Sequence, residues 1–188
     1  MTNQNEFAEE LLVSSSFLTI QKSDLKRTDQ DETKKGESEN TRLSIETIAK
    51  VREFFNTKTH HRPSEKMYQA LEDIALILEK MVSGEVDSKI YLSSLAPGIG
   101  KTQTICFFLN LLLKDERYRD QGILIGLSTY DEIESYIERM GVDKSNMAIL
   151  TSDKKLNALG NSNQDEAQVL FTTQQRMDIK LKQYENFS

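Results

Sequence analysis

A glycine-containing turn between two apolar runs constrains this chain more than any other stretch. It reads Ser94-Leu95-Ala96-Pro97-Gly98-Ile99-Gly100-Lys101-Thr102-Gln103-Thr104. Ile90-Tyr91-Leu92 leads in with strand character, and Ile105 to Leu113 leads out as an apolar helix that begins near Lys101. Strand, glycine turn, Lys-Thr and helix is the layout of a phosphate-binding P-loop. Gly98 and Gly100 reach backbone angles that other residues resist, so successive N–H groups can converge on one anion. The N-terminus of the following helix adds positive potential at the same place. Lys101 would supply a full charge to the outer phosphates, and the Thr102 hydroxyl would ligate Mg²⁺. Pro97, Gly98, Ile99, Gly100, Lys101 and Thr102 are therefore the expected nucleotide-binding residues, with Thr102 the expected metal ligand. Leu95 stands where the full pattern has its first glycine. The competing reading is a Pro-Gly turn with a solvated lysine.

The remaining sequence places this turn in an alternation of helices and strands. Ile45, Ile48, Val51 and Phe55 share one face of a helix over Leu43 to Phe55. Met67, Leu71, Ile74, Leu78 and Met81 mark a longer helix from Ser64 to Val82, capped by Ser64 and ended at Ser83-Gly84. After the apolar helix, strands are expected at Ile123–Leu127, Met147–Leu150 and Gln168–Phe171. Thr129-x-x-Glu132 reads as a capping box that opens a helix through Ile133, Tyr136, Ile137 and Met140. Strands alternating with helices imply a parallel sheet, an α/β fold. Upstream, Phe7 to Val13 is a brief amphipathic stretch. Gln21 to Arg42 is charged and poor in apolar surface, and reads as a disordered linker. The expected organisation is a tail and linker over residues 1–42 and one domain over 43–188.

The chain has 188 residues and a net charge of −6, which argues against bulk attraction to polyanions or anionic membranes. Cys106 is the one cysteine and sits in the apolar run as a small core residue, so a reducing compartment is expected. The adjacent pair His60-His61 has no Cys or carboxylate at ligand spacing and reads as a polar turn. The acidic N-terminus does not read as a signal peptide, and no apolar run approaches a membrane span. A cytoplasmic location without membrane contact is the expectation. Asp153 follows a strand, where it reads either as a turn residue or as a carboxylate for Mg²⁺.

The order of these motifs resembles the first part of the N-terminal RecA-like domain of superfamily-two helicases and related DNA or RNA translocases. Tyr68-Gln69 resembles the upstream glutamine element that contacts adenine, which adds Gln69 to the nucleotide-binding residues. Ala96 to Thr102 resembles the family's first motif, and Leu127-Ser128-Thr129 its next. Val169 to Met177 resembles the segment before the Asp-Glu motif, with Gln174 where proline is usual. The resemblance implies ATP and Mg²⁺ as ligands, and a parent enzyme that couples ATP hydrolysis to unwinding or movement on DNA or RNA. For Thr129, Thr173 and Arg176, helix capping or solvation and contact with nucleic-acid phosphates both stay open. The Asp-Glu motif does not occur before Asn186-Phe187-Ser188, so the resemblance leaves no catalytic residue to name. A partial RecA-like domain, truncated or completed by a complementary chain, is the resulting expectation. A nucleotide-binding or interaction module without turnover is the alternative, and a small P-loop kinase a third reading.

Overall fold

In the computed structural model the described residues are 17–22, 42–60, 62–86, 95–163 and 166–178. The expected helix at Phe7–Val13, nearly all of the expected linker and the strand at Ile90–Leu92 lie outside them. So do His61 and the chain beyond residue 178. Packing divides the described chain into two compact units. One takes the residues up to 21, those of 122–135 and those from 143 on; the other takes 22, the described part of 42–121 and 136–142.

The second unit is built on three helices, α1 (Leu43–Thr57), α2 (Glu65–Ser83) and α3 (Lys101–Leu112). The first two were legible as apolar stripes and the third as an apolar run. Ile48, Val51 and Phe55 of α1 bury against Tyr68 and Leu71 of α2, with Phe54, Ile74, Ile99 and Phe107 packed around them. Edge-on ring pairs tie α1 to its neighbours: Phe54 meets Phe107 at 5.9 Å and Phe55 meets Tyr68 at 6.3 Å between centroids. The Arg52 guanidinium lies 4.1 Å over the Tyr68 ring and also reaches the Glu65 carboxylate.

The helix ends are satisfied in two different ways. Ser64 caps α2 locally by accepting from Met67 N at 3.4 Å, and Gly84 ends the helix in left-handed geometry. Arg42 offers α1 no side-chain cap. Glu79 of α2 takes that role, accepting from Leu43 N at 3.0 Å, from Ser44 N at 3.4 Å and from the Ser44 hydroxyl. A buried carboxylate is tolerable there because it meets the positive end of a helix and several donors. Cys106 is fully buried, as expected of a core residue, and burial pushes its thiol up to about 12.

The first unit is the sheet. Its order is β1-β2-β4-β3, from β1 (Phe17–Lys22), β2 (Gln121–Leu127), β3 (Met147–Leu150) and β4 (Val169–Thr173). β4 runs parallel to both neighbours, pairing Val169 with Ile123 on one side and with Met147 on the other. The expected parallel α/β arrangement is present in these three strands. Their residues are buried almost without alternation, as parallel strands usually are. β1 was not foreseen; its polar sequence context masked it. Connections are helical: α4 (Tyr130–Met140) links β2 to β3, and the short α5 (Lys154–Asn157) follows β3. The turn after α5 closes over β3, with Asn161 N donating to Met147 O at 2.8 Å and Thr151 N to Asn157 Oδ1 at 2.9 Å.

Candidate phosphate-binding loop and a second cavity

The loop Leu95–Gly100 enters α3 through two left-handed glycines, Gly98 at φ +81° and Gly100 at φ +105°. Their roles differ. A Cβ on Gly98 would meet nothing within 4 Å, so its requirement is conformational alone. A Cβ on Gly100 would fall 2.8 Å from Phe55 Cζ and 3.5 Å from Leu71 Cδ1, so that position also needs the missing side chain. Ile99, between them, packs its side chain onto the cluster of α1 and α2. The loop is thus clamped on its inner side, while Ala96, Pro97 and Gly98 are exposed.

Gly100 is the N-cap of α3 and has no side chain with which to cap it. Its carbonyl accepts from Thr104 N at 2.9 Å and from Thr104 Oγ1 at 3.0 Å, which fixes the first turn. The N–H groups of Lys101, Thr102 and Gln103 precede the helical ladder, where anions bind most readily. Lys101 Nζ folds back to donate to the carbonyl of Leu95 at 2.5 Å, closing the loop on itself. Lys101 and Thr102 are both half-buried at the start of the helix. Leu95 therefore contributes its backbone oxygen at the position where the pattern would have glycine.

Gln69 does not share this clamped geometry. It is exposed on α2, two residues before Leu71, which does approach the loop. Its neighbour Tyr68 is a core residue. Asp153 resolves toward its turn reading: its carboxylate accepts from Lys155 N at 2.7 Å and Leu156 N at 3.3 Å as the N-cap of α5. Among the described residues no group of three or more His, Cys, Asp or Glu is placed to hold a metal ion. No helix among them is long and apolar enough to cross a membrane.

The sheet unit carries a separate concavity that sequence analysis assembled only in part. An open cavity of about 470 Å³ lies where the parallel strands end. Ser128, Thr129 and Tyr130 follow β2, Ser152 follows β3, Thr173 ends β4, and Gln175 and Arg176 lie in the helical turn after it. The capping box forms as expected: Glu132 N donates to Thr129 Oγ1 at 3.2 Å, and the Glu132 carboxylate accepts from Ser128 N and Thr129 N. Thr173 similarly accepts from Arg176 N at 3.3 Å. Tyr130 and Ser152 share a hydroxyl contact at 2.5 Å, and Ser128 donates to Gln174 Oε1 at 3.3 Å. Arg176 Nε is buried with no hydrogen-bond partner. Ser128, Tyr130, Ser152 and Gln175 were not singled out in advance. The available signal was the hydroxyl residues at the carboxyl ends of the three strands, Ser128 just after β2, Thr151 and Ser152 just after β3 and Thr173 as the last residue of β4, because parallel strands gather ligands there.

No known protein family, curated protein or solved structure matches this chain.

Proposed function

We propose that the loop Leu95–Gly100 and the first turn of α3 bind the polyphosphate of a nucleoside triphosphate, ATP by the resemblance to helicases. Lys101 would turn from the Leu95 carbonyl to the outer phosphates. The first N–H groups of α3 and those of the glycine turn would hold the inner ones. The Thr102 hydroxyl would hold Mg²⁺, which supplies charge neutralisation between the phosphates. The observation that carries this reading is the paired left-handed glycines, clamped by Ile99 and Phe55 immediately before a helix with no side-chain cap. By the same resemblance, the parent activity is ATP-driven unwinding of, or translocation on, DNA or RNA.

A second reading has its own support. Asp153, the carboxylate that sequence offered to Mg²⁺, already accepts two N–H groups of α5. That favours a nucleotide-binding or interaction module without turnover, completed by a partner chain, over an enzyme using Asp153.

Calorimetry with ATP and Mg²⁺ on the full chain tests the loop. A charge-assisted hydrogen bond contributes about 1.5–3 kcal/mol, or roughly 10- to 100-fold in affinity. Lys101→Ala is expected to weaken ATP binding by that factor while circular dichroism stays unchanged. Equal affinity in a folded variant overturns the assignment.

A further inference from the structure

We infer that Phe55 is a positioning residue for nucleotide binding: from α1, it holds Gly100 at the backbone angle in which the loop receives phosphate. This rests on the nucleotide reading of the loop and names a group outside it that sets its affinity. Gly100 has no side chain to restrict it, so its φ of +105° is selected by its surroundings. The ring edge of Phe55 fills the space that a side chain would take, with Cζ 2.8 Å and Cε2 3.0 Å from the Cβ position. Leu71 Cδ1 closes the same space at 3.5 Å.

The other ties of the loop do not replace this contact. Lys101 Nζ holds the Leu95 carbonyl, but on the nucleotide reading it leaves for the outer phosphates. Thr104 N and Oγ1 hold the Gly100 carbonyl, which fixes the peptide plane after Gly100, whereas φ sets the plane before it. Phe55 is itself held from outside the loop. Its carbonyl accepts from Arg62 Nη1 at 2.6 Å and from Thr59 Oγ1 at 3.2 Å. Its buried ring meets Phe54 at 5.6 Å and Tyr68 at 6.3 Å, both edge-on. A close-packed ring transmits its position to a neighbour instead of yielding. A loop already held in its binding conformation escapes the entropy cost of being ordered by the ligand. Without the Phe55 ring, that cost falls on nucleotide binding.

Calorimetry with ATP and Mg²⁺ on folded variants of the full chain tests this role. Phe55→Leu keeps an apolar side chain but vacates the space beside Gly100. It is expected to weaken ATP binding about five- to thirtyfold, the equivalent of ordering one backbone residue on binding. Val51→Ala trims the same cluster from the same helix, at a fully buried residue that is not among the nearest neighbours of the Gly100 Cβ position. It is expected to lower the denaturation midpoint and leave ATP affinity at the wild-type value. If Phe55→Leu fails to fold, Phe55→Tyr retains the ring and adds a hydroxyl to the carbon nearest Gly100, and it is expected to weaken ATP several-fold. Lys101→Ala reads the nucleotide assignment itself. The inference alone is overturned if Lys101→Ala loses affinity while the folded Phe55 variant binds ATP as the wild type does. It is overturned equally if Val51→Ala weakens ATP as much as Phe55→Leu, because affinity then follows stability and not loop position. If the wild type binds no ATP, or Lys101→Ala binds it equally, the nucleotide reading falls and this inference with it.

Discussion

The glycine loop and the strand-end cavity both bring polar groups together, and they are built in opposite ways. The loop is contiguous: Leu95 to Thr102 carry its backbone angles, its charge and its hydroxyl. Its geometry is set by two glycines whose φ angles, +81° and +105°, other residues adopt only under strain. The cavity has no such sequence. Thr129, Ser152 and Thr173 come from three strand ends, and only the pairing of β2 and β3 with β4 brings them together. A local site depends on backbone freedom, whereas an assembled site depends on register and on the caps that orient its hydroxyls.

The largest expected effect separates the two glycines inside the loop. Gly100→Ala combines a disfavoured backbone angle, about 1–2 kcal/mol, with overpacking against Phe55, about 1–3 kcal/mol. Gly98→Ala carries only the first, because its Cβ would stand in open space. Chemical denaturation should therefore find Gly100→Ala the more destabilised of the two. Equal midpoints would mean that Phe55 yields without cost and that the clamp is not what shapes the loop.

A smaller effect is expected at the cavity. Thr129→Ala removes one side of the reciprocal capping box on α4, which costs about 1 kcal/mol. Thr129→Ser keeps the hydroxyl and should recover most of that loss. If alanine and serine unfold alike, the Thr129 hydroxyl does not cap α4.

The smallest expected effect is at Asp153. Asn is as good an N-cap as Asp, so Asp153→Asn should leave both the denaturation midpoint and the Mg²⁺–ATP affinity within error of the wild type. A clear drop in metal-dependent affinity with the fold intact would return Asp153 to the nucleotide site. It would also erase the distinction between a self-contained loop and a site assembled from distant segments.

Much of the local structure was legible in the residues. The stripe of Leu71 and Leu78 gave α2, Ser64 and Gly84 gave its ends, and Thr129-x-x-Glu132 gave the start of α4. These follow from short-range rules, in which a side chain bonds or packs within a turn or two of its own backbone. Gly98 and Gly100 belong to the same class, since a left-handed angle is a property of one residue.

What sequence could not give depends on contacts between distant segments. Glu79 looked like one more charge on a helix, yet it caps α1 from thirty-five residues or more away, at Leu43 and Ser44. Gln69 matched a motif by order, but its surroundings are set by how α2 packs, and it is exposed. Phe17–Lys22 is a short apolar run, Phe17, Leu18 and Ile20, between polar stretches, and its place beside β2 makes it a strand. Likewise, the hydroxyl residues at the ends of β2, β3 and β4 are ordinary polar residues until parallel pairing aligns the strand ends. The sequence determined the helices, their local caps and the glycine loop, because each is decided by neighbours along the chain. Tertiary structure decided which charges are buried, which motif residues reach a site, and that a cavity forms at the strand ends, because burial and convergence arise only when separate segments pack.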